Sequence, residues 1–261
     1  MRARVLLNLL LLAAAGLLGW WVYREVQEED RAERVAAFAP GSVRTITVER
    51  NGEPVLRLRR DGERWLLVEP RQLPASEFHV RMLLRFLELP VEQRYPRGEL
   101  DLAAVGLRAP KAVIAYDDAR FAFGELEPLS GRRYVLRDDS VLLLTEGVSA
   151  LAGSPWWNFI ERRLLPHEAE VAAVETADGR RLTAERFRTL AARWQEASAN
   201  VVKPIRPGVS GTDLYVELAD GTRLRWQVVD GDQPRLLRPD LGLAYHVGAD
   251  TLAVLSGKRT E

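Results

Sequence analysis

The chain has 261 residues, of which 47% are hydrophobic and 28% are charged, and this balance excludes a disordered protein. Acidic and basic side chains number 37 each, so the chain lacks the basic excess that nucleic-acid binding requires. No cysteine occurs, which excludes disulfides, thiol catalysis and cysteine-ligated metals.

An apolar run without charged residues spans positions 5–22. A helix of this length is about 27 Å long, close to the hydrocarbon thickness of a bilayer. Trp20, Trp21 and Tyr23 follow one another closely at its end, like the aromatic belt of a membrane interface. The sequence therefore predicts a cytoplasmic tip and transmembrane anchor at residues 1–23.

A cleaved signal peptide is the alternative for this run. Cleavage would have to occur at Ala13–Ala15 and would leave an apolar new N-terminus, so an uncleaved anchor is favoured. Arg2 and Arg4 precede the run, and a short basic tail favours a cytoplasmic N-terminus, although arginines also follow the run. The arginine-rich, alanine-rich composition indicates a bacterial source. The predicted localisation is a bacterial inner membrane, crossed once, with the soluble domain in the periplasm.

Charged and alanine-rich residues at 24–41 predict a helical stalk. Alternating apolar and polar residues then surround Asn51-Gly52 and Asp61-Gly62, the turn pairs typical of β-hairpins. A helix is predicted over Ser76–Leu89, because its apolar residues recur at helical spacing and Ser76 can cap it. With the hairpin strands that follow, these elements form a first α+β repeat at residues 42–153.

The second part of the chain, residues 167–261, repeats this order. A hairpin turn at Asp178-Gly179 precedes a helix with an apolar stripe, and a strand near 200–205 and a turn at Asp220-Gly221 follow. The stripe of this helix consists of Phe187, Leu190, Ala191 and Trp194. The predicted fold class is therefore α+β: an N-terminal transmembrane helix plus two tandem copies of an antiparallel β-meander, helix, β-meander unit.

The linker between the repeats, residues 154–166, concentrates aromatic residues next to arginines. Such residues are favoured in the cores of protein interfaces, so the linker is a candidate partner-docking patch. The alternative is that the linker packs its indoles between the two halves. The candidate residues are Trp156, Trp157, Phe159, Arg162 and Arg163.

Catalytic and metal-binding patterns are weak. His79, His167 and His246 are far apart in the sequence and lack the spacing of a metal site. The pairs Asp117-Asp118 and Asp138-Asp139 fall where hairpins must turn, which explains them without catalysis. We expect no enzyme activity, no metal and no cofactor.

Several motifs together resemble a bacterial family of unknown function that accompanies ABC-type transporter components similar to gliding-motility auxiliary proteins. The motifs are Trp65 with Pro70 and Pro74, Leu83-Leu84 with Leu87, Gly106-Leu107 with Pro110, Phe123-Gly124, and Arg133-Tyr134-Val135. The resemblance is strongest over residues 43–166. It implies a periplasmic duplicated domain, an inner-membrane anchor and association with permease or auxiliary subunits of the transporter.

The predicted function is that of a non-enzymatic, membrane-anchored accessory protein of an ABC-type transport complex. The alternative is a periplasmic binding module for an envelope polymer or peptide. A hydrolase is the least favoured reading, because no nucleophile motif is present.

Overall fold

The computed structural model describes residues 15–20, 33–176, 178–183 and 188–258. Two β-sheets dominate this part of the chain. The α-helices that follow residue 33 are α1 (Glu77–Arg85), α2 (Val148–Ala152), α3 (Arg188–Glu196) and α4 (Ala249–Leu255).

The predicted transmembrane anchor is contradicted. In the part of the chain that the structure describes, no helix is both long and apolar enough to cross a membrane. The remainder of the predicted span lies outside the described residues. The anchor in the predicted fold class and the single-pass inner-membrane localisation are corrected accordingly.

The predicted interfacial belt falls mostly outside the described residues, which is the case for Trp21 and Tyr23. Trp20 is helical and 58% exposed.

Residues 33–39, within the predicted helical stalk, are not helical. The N–H of Val35 donates a 3.0 Å hydrogen bond to the carbonyl oxygen of Leu89, and the Val35 side chain is fully buried. Burial and main-chain pairing over this segment outweigh the helix propensity of its alanines. Residues 24–32 lie outside the described part.

The first sheet is built from antiparallel pairs, such as β1 with β6 and β8 with β9, and its strand order is β4-β3-β2-β1-β6-β7-β8-β9-β5. Its strands are β1 (Thr45–Arg50), β2 (Glu53–Asp61), β3 (Arg64–Glu69), β4 (Leu73–Pro74), β5 (Gln93–Pro96), β6 (Ala112–Tyr116), β7 (Ala119–Leu126), β8 (Arg133–Arg137) and β9 (Ser140–Leu144).

The second sheet is also built from antiparallel pairs, in the order β11-β10-β13-β14-β15-β16-β12. Its strands are β10 (Val171–Glu175), β11 (Arg181–Thr183), β12 (Val201–Pro204), β13 (Thr212–Leu218), β14 (Arg223–Val229), β15 (Arg235–Arg238) and β16 (Leu243–His246).

The two sheets share a strand order. In the first, β2-β1-β6-β7-β8-β9-β5 follow one another, and in the second β11-β10-β13-β14-β15-β16-β12 do so. A helix precedes the strand that ends each series, α1 before β5 and α3 before β12. Among the described residues, the second sheet has no counterpart of β3 and β4.

The chain folds as two compact units. Unit 1 contains the described residues of Met1–Arg57 and Arg81–Gly153, and unit 2 contains those of Leu58–Val80 and Ser154–Glu261. Unit 1 ends at Gly153, where the first repeat is predicted to end, but the bounds of the two repeats stay a prediction. Residues 58–80, assigned from the sequence to the first repeat, belong to unit 2.

The hairpin turns adopt the conformations that their residues favour. Asn51 and Gly52 both have positive φ, 50° and 86°, as a two-residue hairpin turn of the primed type requires. Asp117 and Asp138 also have positive φ and lie in turns, as predicted. The Asp117 carboxylate accepts hydrogen bonds from the main-chain N–H groups that precede and begin β1.

Aromatic residues fill the core of unit 1. The Phe86 ring lies 5.3 Å from the rings of Phe121 and Phe123 and 6.3 Å from that of Tyr116, between centroids. All four side chains are buried. The hydroxyl of Tyr116 donates a hydrogen bond to the carbonyl oxygen of Leu83, which fixes α1 against β6.

Indole rings fill the core of unit 2. The centroids of Trp194 on α3 and Trp226 on β14 are 5.6 Å apart, and Tyr245 lies 5.4 Å from Trp226. The indole N–H of Trp194 donates a 3.0 Å hydrogen bond to the carbonyl oxygen of Leu255 on α4. The predicted stripe residues Leu190, Ala191 and Trp194 are buried, whereas Phe187 lies outside the described residues.

Candidate functional site

The linker aromatics lie in a short 3-10 helix, Trp156–Phe159, in unit 2. Main-chain hydrogen bonds attach the C-terminal end of this helix to the segment before α1: Ser76 N–H donates to the carbonyl oxygen of Phe159, and Glu161 N–H donates to that of Pro74. These bonds are 2.8 and 2.9 Å long. The Phe159 side chain is fully buried and holds the helix in place.

Trp156 and Trp157 are presented by this anchored helix. Their rings pack edge to face, with 5.7 Å between centroids and an interplanar angle of 79°. Both side chains are half-buried, so each leaves part of an indole surface accessible. Pro155 precedes the pair, and the N–H of Asn158 donates a 3.0 Å hydrogen bond to its carbonyl oxygen, which closes the turn.

The start of α1 adds two rings to this group. The rings of Phe78 and His79 meet edge on at 5.3 Å, and His79 lies 5.6 Å from Phe159. Phe78 is 63% exposed, more than most large apolar side chains of the described region. We call Phe78, His79, Trp156, Trp157 and Phe159 the aromatic cluster.

His79 joins the exposed and buried parts of the aromatic cluster. Its Nδ1 lies 2.9 Å from the hydroxyl oxygen of Ser76, within hydrogen-bonding distance. Burial lowers the pKa of His79 below its usual value, and the positive charge of Arg162 lowers it further. His79 is therefore a neutral ring at pH 7.

Arg162 and Arg163 have different roles, although they are adjacent. A terminal N–H group of the Arg163 guanidinium donates a 2.6 Å hydrogen bond to the carbonyl oxygen of Gln195, while its Nε is buried without a partner. Arg163 therefore joins the linker to the end of α3. Arg162 is half-buried and close enough to His79 to influence its pKa. The carboxylate of Glu161 accepts hydrogen bonds from both main-chain N–H groups.

The structure thus divides the predicted docking patch. Phe159 and Arg163 have internal roles in unit 2, and Trp156, Trp157 and Arg162 remain partly accessible. Whether these three residues bind a partner stays a prediction.

Phe78 is the member of the aromatic cluster that the sequence pattern does not select. The predicted apolar stripe consists of Val80, Leu83 and Leu84 on α1 and Leu87 in the 3-10 turn after it; Leu84 is half-buried and the other three are buried. Phe78 lies off this stripe. A large aromatic residue on the polar side of an amphipathic helix is the available signal for it, because such positions are normally polar.

The other residues considered from the sequence are dispersed. His167 is exposed after the linker, and His246 lies half-buried on β16, where burial and then neighbouring cations lower its pKa. Within the described ranges, no three histidine or carboxylate side chains are grouped so that they could hold a metal ion.

Comparisons of the chain with family models, with curated proteins and with solved structures found no significant match. The resemblance to the transporter-associated family therefore stays a prediction that depends on the motifs themselves.

Proposed function

We propose that this chain is a non-enzymatic accessory protein of an ABC-type transport complex and that it acts by binding a permease or auxiliary subunit. The partner class comes from the motif resemblance. The binding mode comes from the aromatic cluster, which is the single observation that carries the proposal.

The aromatic cluster has the composition of an interface centre. Tryptophan and arginine are enriched among the residues that contribute most to binding, and rigid aromatic rings lose little conformational entropy when a partner covers them. Buried Phe159 and the main-chain hydrogen bonds that involve Ser76 and Pro74 hold the helix of Trp156 and Trp157 in place before any partner binds. The partner surface that fits is apolar at its centre and carries a carboxylate opposite Arg162.

The motifs of the resemblance support a structural scaffold more than a catalytic site. Leu83 and Phe123 are core residues, and Gly124 lies where another chain segment leaves no room for a side chain. Arg133 forms an ion pair with the buried carboxylate of Glu146. Residues in such roles hold a binding surface in shape, which fits an accessory protein.

The same proposal treats the two sheets as copies of one repeat. Support comes from their shared strand order and from the equivalent positions of α1 and α3 before β5 and β12. In this view β3 and β4 are additions to the first copy, and the aromatic cluster uses one of these added strands, because Pro74 of β4 accepts the hydrogen bond from Glu161.

Co-purification tests the proposal. An affinity-tagged chain, expressed at native level, is recovered from detergent-solubilised cells, and the co-purifying proteins are identified by mass spectrometry. We expect permease or auxiliary subunits of an ABC-type transporter. Recovery of the chain without any such subunit, under conditions that keep the transporter intact, contradicts the proposal.

A matched pair of variants ties the partner to the aromatic cluster. The double variant Phe78→Ser/Trp157→Ser is expected to lose the transporter subunits. Leu129→Ser changes a side chain that is 95% exposed and lies in unit 1, and it is expected to retain them. If both variants recover equal amounts of the transporter subunits, the aromatic cluster is not the binding surface.

A further inference from the structure

A group of basic side chains lies on one face of the second sheet, at its β12 end. Arg235 on β15 is directly opposite His246 on β16, and His246 is directly opposite Val201 on β12. Lys203 is two residues beyond Val201 and therefore points to the same face. Arg206 follows β12 closely. We call Lys203, Arg206, Arg235 and His246 the basic group.

The members of the basic group are close enough to influence one another. Burial lowers the pKa of His246, and the charges of Arg235, Lys203 and Arg206 lower it further, in that order. Directly opposite positions on neighbouring strands have Cβ atoms about 5 Å apart, and diagonal positions about 7–8 Å. Three cations thus lie near enough to the imidazole of His246 on β16 to lower its pKa.

The same face of the sheet is charge-balanced elsewhere. Cross-strand registers place Arg225 and Arg223 on β14 on the face that carries Arg235, and each has a carboxylate partner. Arg225 pairs with Asp213 at 3.0 Å, and Arg223 pairs with Glu175 at 2.6 Å.

The basic group differs, because no ion pair joins any of its members to a carboxylate within the residues that the structure describes. Lys203 and Arg206 are exposed, and Arg235 and His246 are half-buried. Arg235 on β15 and Lys203 on β12 flank β16 from its two sides, so their like charges repel across His246. An anion that binds among them would remove this cost.

We infer that the basic group is a binding site for a phosphoryl group, either inorganic phosphate or the phosphate of a lipid headgroup. The number of cations in the basic group favours a phosphoryl group over a carboxylate as the bound anion. Lys203, Arg206 and Arg235 are three cations, and a phosphate monoester has a charge of about −1.5 to −2 near neutral pH, whereas a carboxylate has only −1.

The side chains of the basic group supply complementary donors. An arginine presents N–H groups in a planar fork that fits two oxygens of one anion, and Lys203 adds a compact charge. One terminal nitrogen of Arg235 already donates a 3.1 Å hydrogen bond to the carbonyl oxygen of Gln233, which leaves its other N–H groups for an anion. His246 donates from both ring nitrogens only when it is protonated. Because a bound anion favours the protonated ring, binding and proton uptake by His246 are coupled. This inference does not depend on the proposed transporter partner.

Isothermal titration of the purified chain with inorganic phosphate at low ionic strength tests the site. We expect saturable binding that weakens at least about tenfold in the double variant Lys203→Gln/Arg235→Gln, the equivalent of one lost charge-assisted contact. The matched control, Arg223→Gln/Arg225→Gln, removes two arginines of the same face that have carboxylate partners and is expected to bind as the unmodified chain does. Equal weakening in both double variants would show a general charge effect and would overturn the inference.

A second assay determines whether the phosphoryl group comes from free phosphate or from a lipid headgroup. Vesicles of phosphatidylcholine with phosphatidic acid replace free phosphate in a flotation assay, with phosphatidylcholine alone as the control. Binding of either probe supports the site and names its source, and binding of neither overturns it.

The role of His246 is tested by measuring sulfate affinity at pH 5.5 and pH 7.5. Sulfate is used because its own charge is constant over this range. It should bind more tightly at pH 5.5, and His246→Gln should abolish this difference while binding at pH 7.5 persists. A pH difference that survives His246→Gln contradicts the role of the imidazole.

Discussion

The hydroxyl of Tyr116 on β6 donates a 2.7 Å hydrogen bond to the main-chain carbonyl oxygen of Leu83 on α1, and both side chains are buried. An indole makes the comparable bond in unit 2, where Trp194 donates to Leu255. In each unit, a buried aromatic side chain therefore donates a hydrogen bond to a main-chain carbonyl oxygen of a helix.

Removal of this hydroxyl should destabilise unit 1 without changing its packing. Tyr116→Phe keeps the ring but leaves the Leu83 carbonyl without this donor, so the free energy of unfolding should fall by about 1 kcal/mol. Urea unfolding followed by circular dichroism measures the change. Tyr134→Phe, at a half-exposed position, is the control and should leave the midpoint unchanged. Equal effects of the two substitutions would contradict a structural role for the Tyr116 bond.

The ion pair between Arg133 and Glu146 should contribute more than the surface pairs. Glu146 has only 1% of its side chain exposed, and its carboxylate also accepts from the N–H of Ser149 at the start of α2. Arg133→Met leaves this buried carboxylate without its cation. Because Arg133 is 22% exposed, water offsets part of the loss, and we expect a decrease of about 2 kcal/mol in the free energy of unfolding.

Lys111→Met is the control for that substitution. The pair of Lys111 with Glu125 is 3.4 Å long and well exposed on both sides, so its removal should change the stability by less than about 0.5 kcal/mol. A loss for Arg133→Met no larger than that for Lys111→Met would refute the structural importance of the pair.

Gly124 should not tolerate any side chain. A Cβ atom there would lie 2.3 Å from the carbonyl oxygen of Val105 and 2.9 Å from Cγ of Leu107. Gly124→Ala must displace the main chain and should cost about 1–3 kcal/mol, as overpacked positions do. Gly98→Ala is the control, because a Cβ there meets nothing within 4 Å. Thermal unfolding of both variants decides the matter, and equal melting temperatures would contradict the close approach.

Stability should fall as the pH decreases from 7.5 to 5.5. The pKa values of His79 and His246 are lowered in the folded chain, mainly by burial. Below about pH 6.5 the unfolded chain therefore binds more protons than the folded one, which favours unfolding. Urea midpoints at the two pH values measure the loss, and His79→Gln/His246→Gln should reduce it. A midpoint that is the same at both pH values contradicts the lowered pKa values.

Local features of the fold follow from the sequence because they depend on neighbouring residues. Asn51-Gly52 and Asp117 adopt positive φ where the alternation of apolar residues breaks. Most described residues of the two predicted helical stripes are buried, and Leu84 is half-buried. The repeated order of these local elements also predicts that the second sheet has a meander like that of the first.

Features that depend on distant contacts could not be read in this way. Val35 pairs with Leu89, although the alanine-rich segment around it resembles a helix. β5 pairs with β9 across a long stretch of sequence. The residues next to each segment do not indicate either pairing, because the paired segments are distant in the sequence and become neighbours only in the folded chain.

The aromatic cluster illustrates the same limit. The sequence places Trp156, Trp157 and Phe159 in one short segment, but Phe78 is linked to that segment only through His79, whose ring contacts both Phe78 and Phe159. The basic group is equally non-local, since Lys203 and Arg235 come together through the pairing of β12 and β15 with β16.

Site-specific photo-crosslinking in living cells tests the central claim most directly. A photoreactive benzoylphenylalanine replaces Trp157 in one strain and Leu129 in another, and the adducts are identified by mass spectrometry. We expect a permease or auxiliary subunit of an ABC-type transporter to be crosslinked from position 157 and not from position 129. The absence of any transporter subunit at position 157, or equal crosslinking from both positions, would contradict the account.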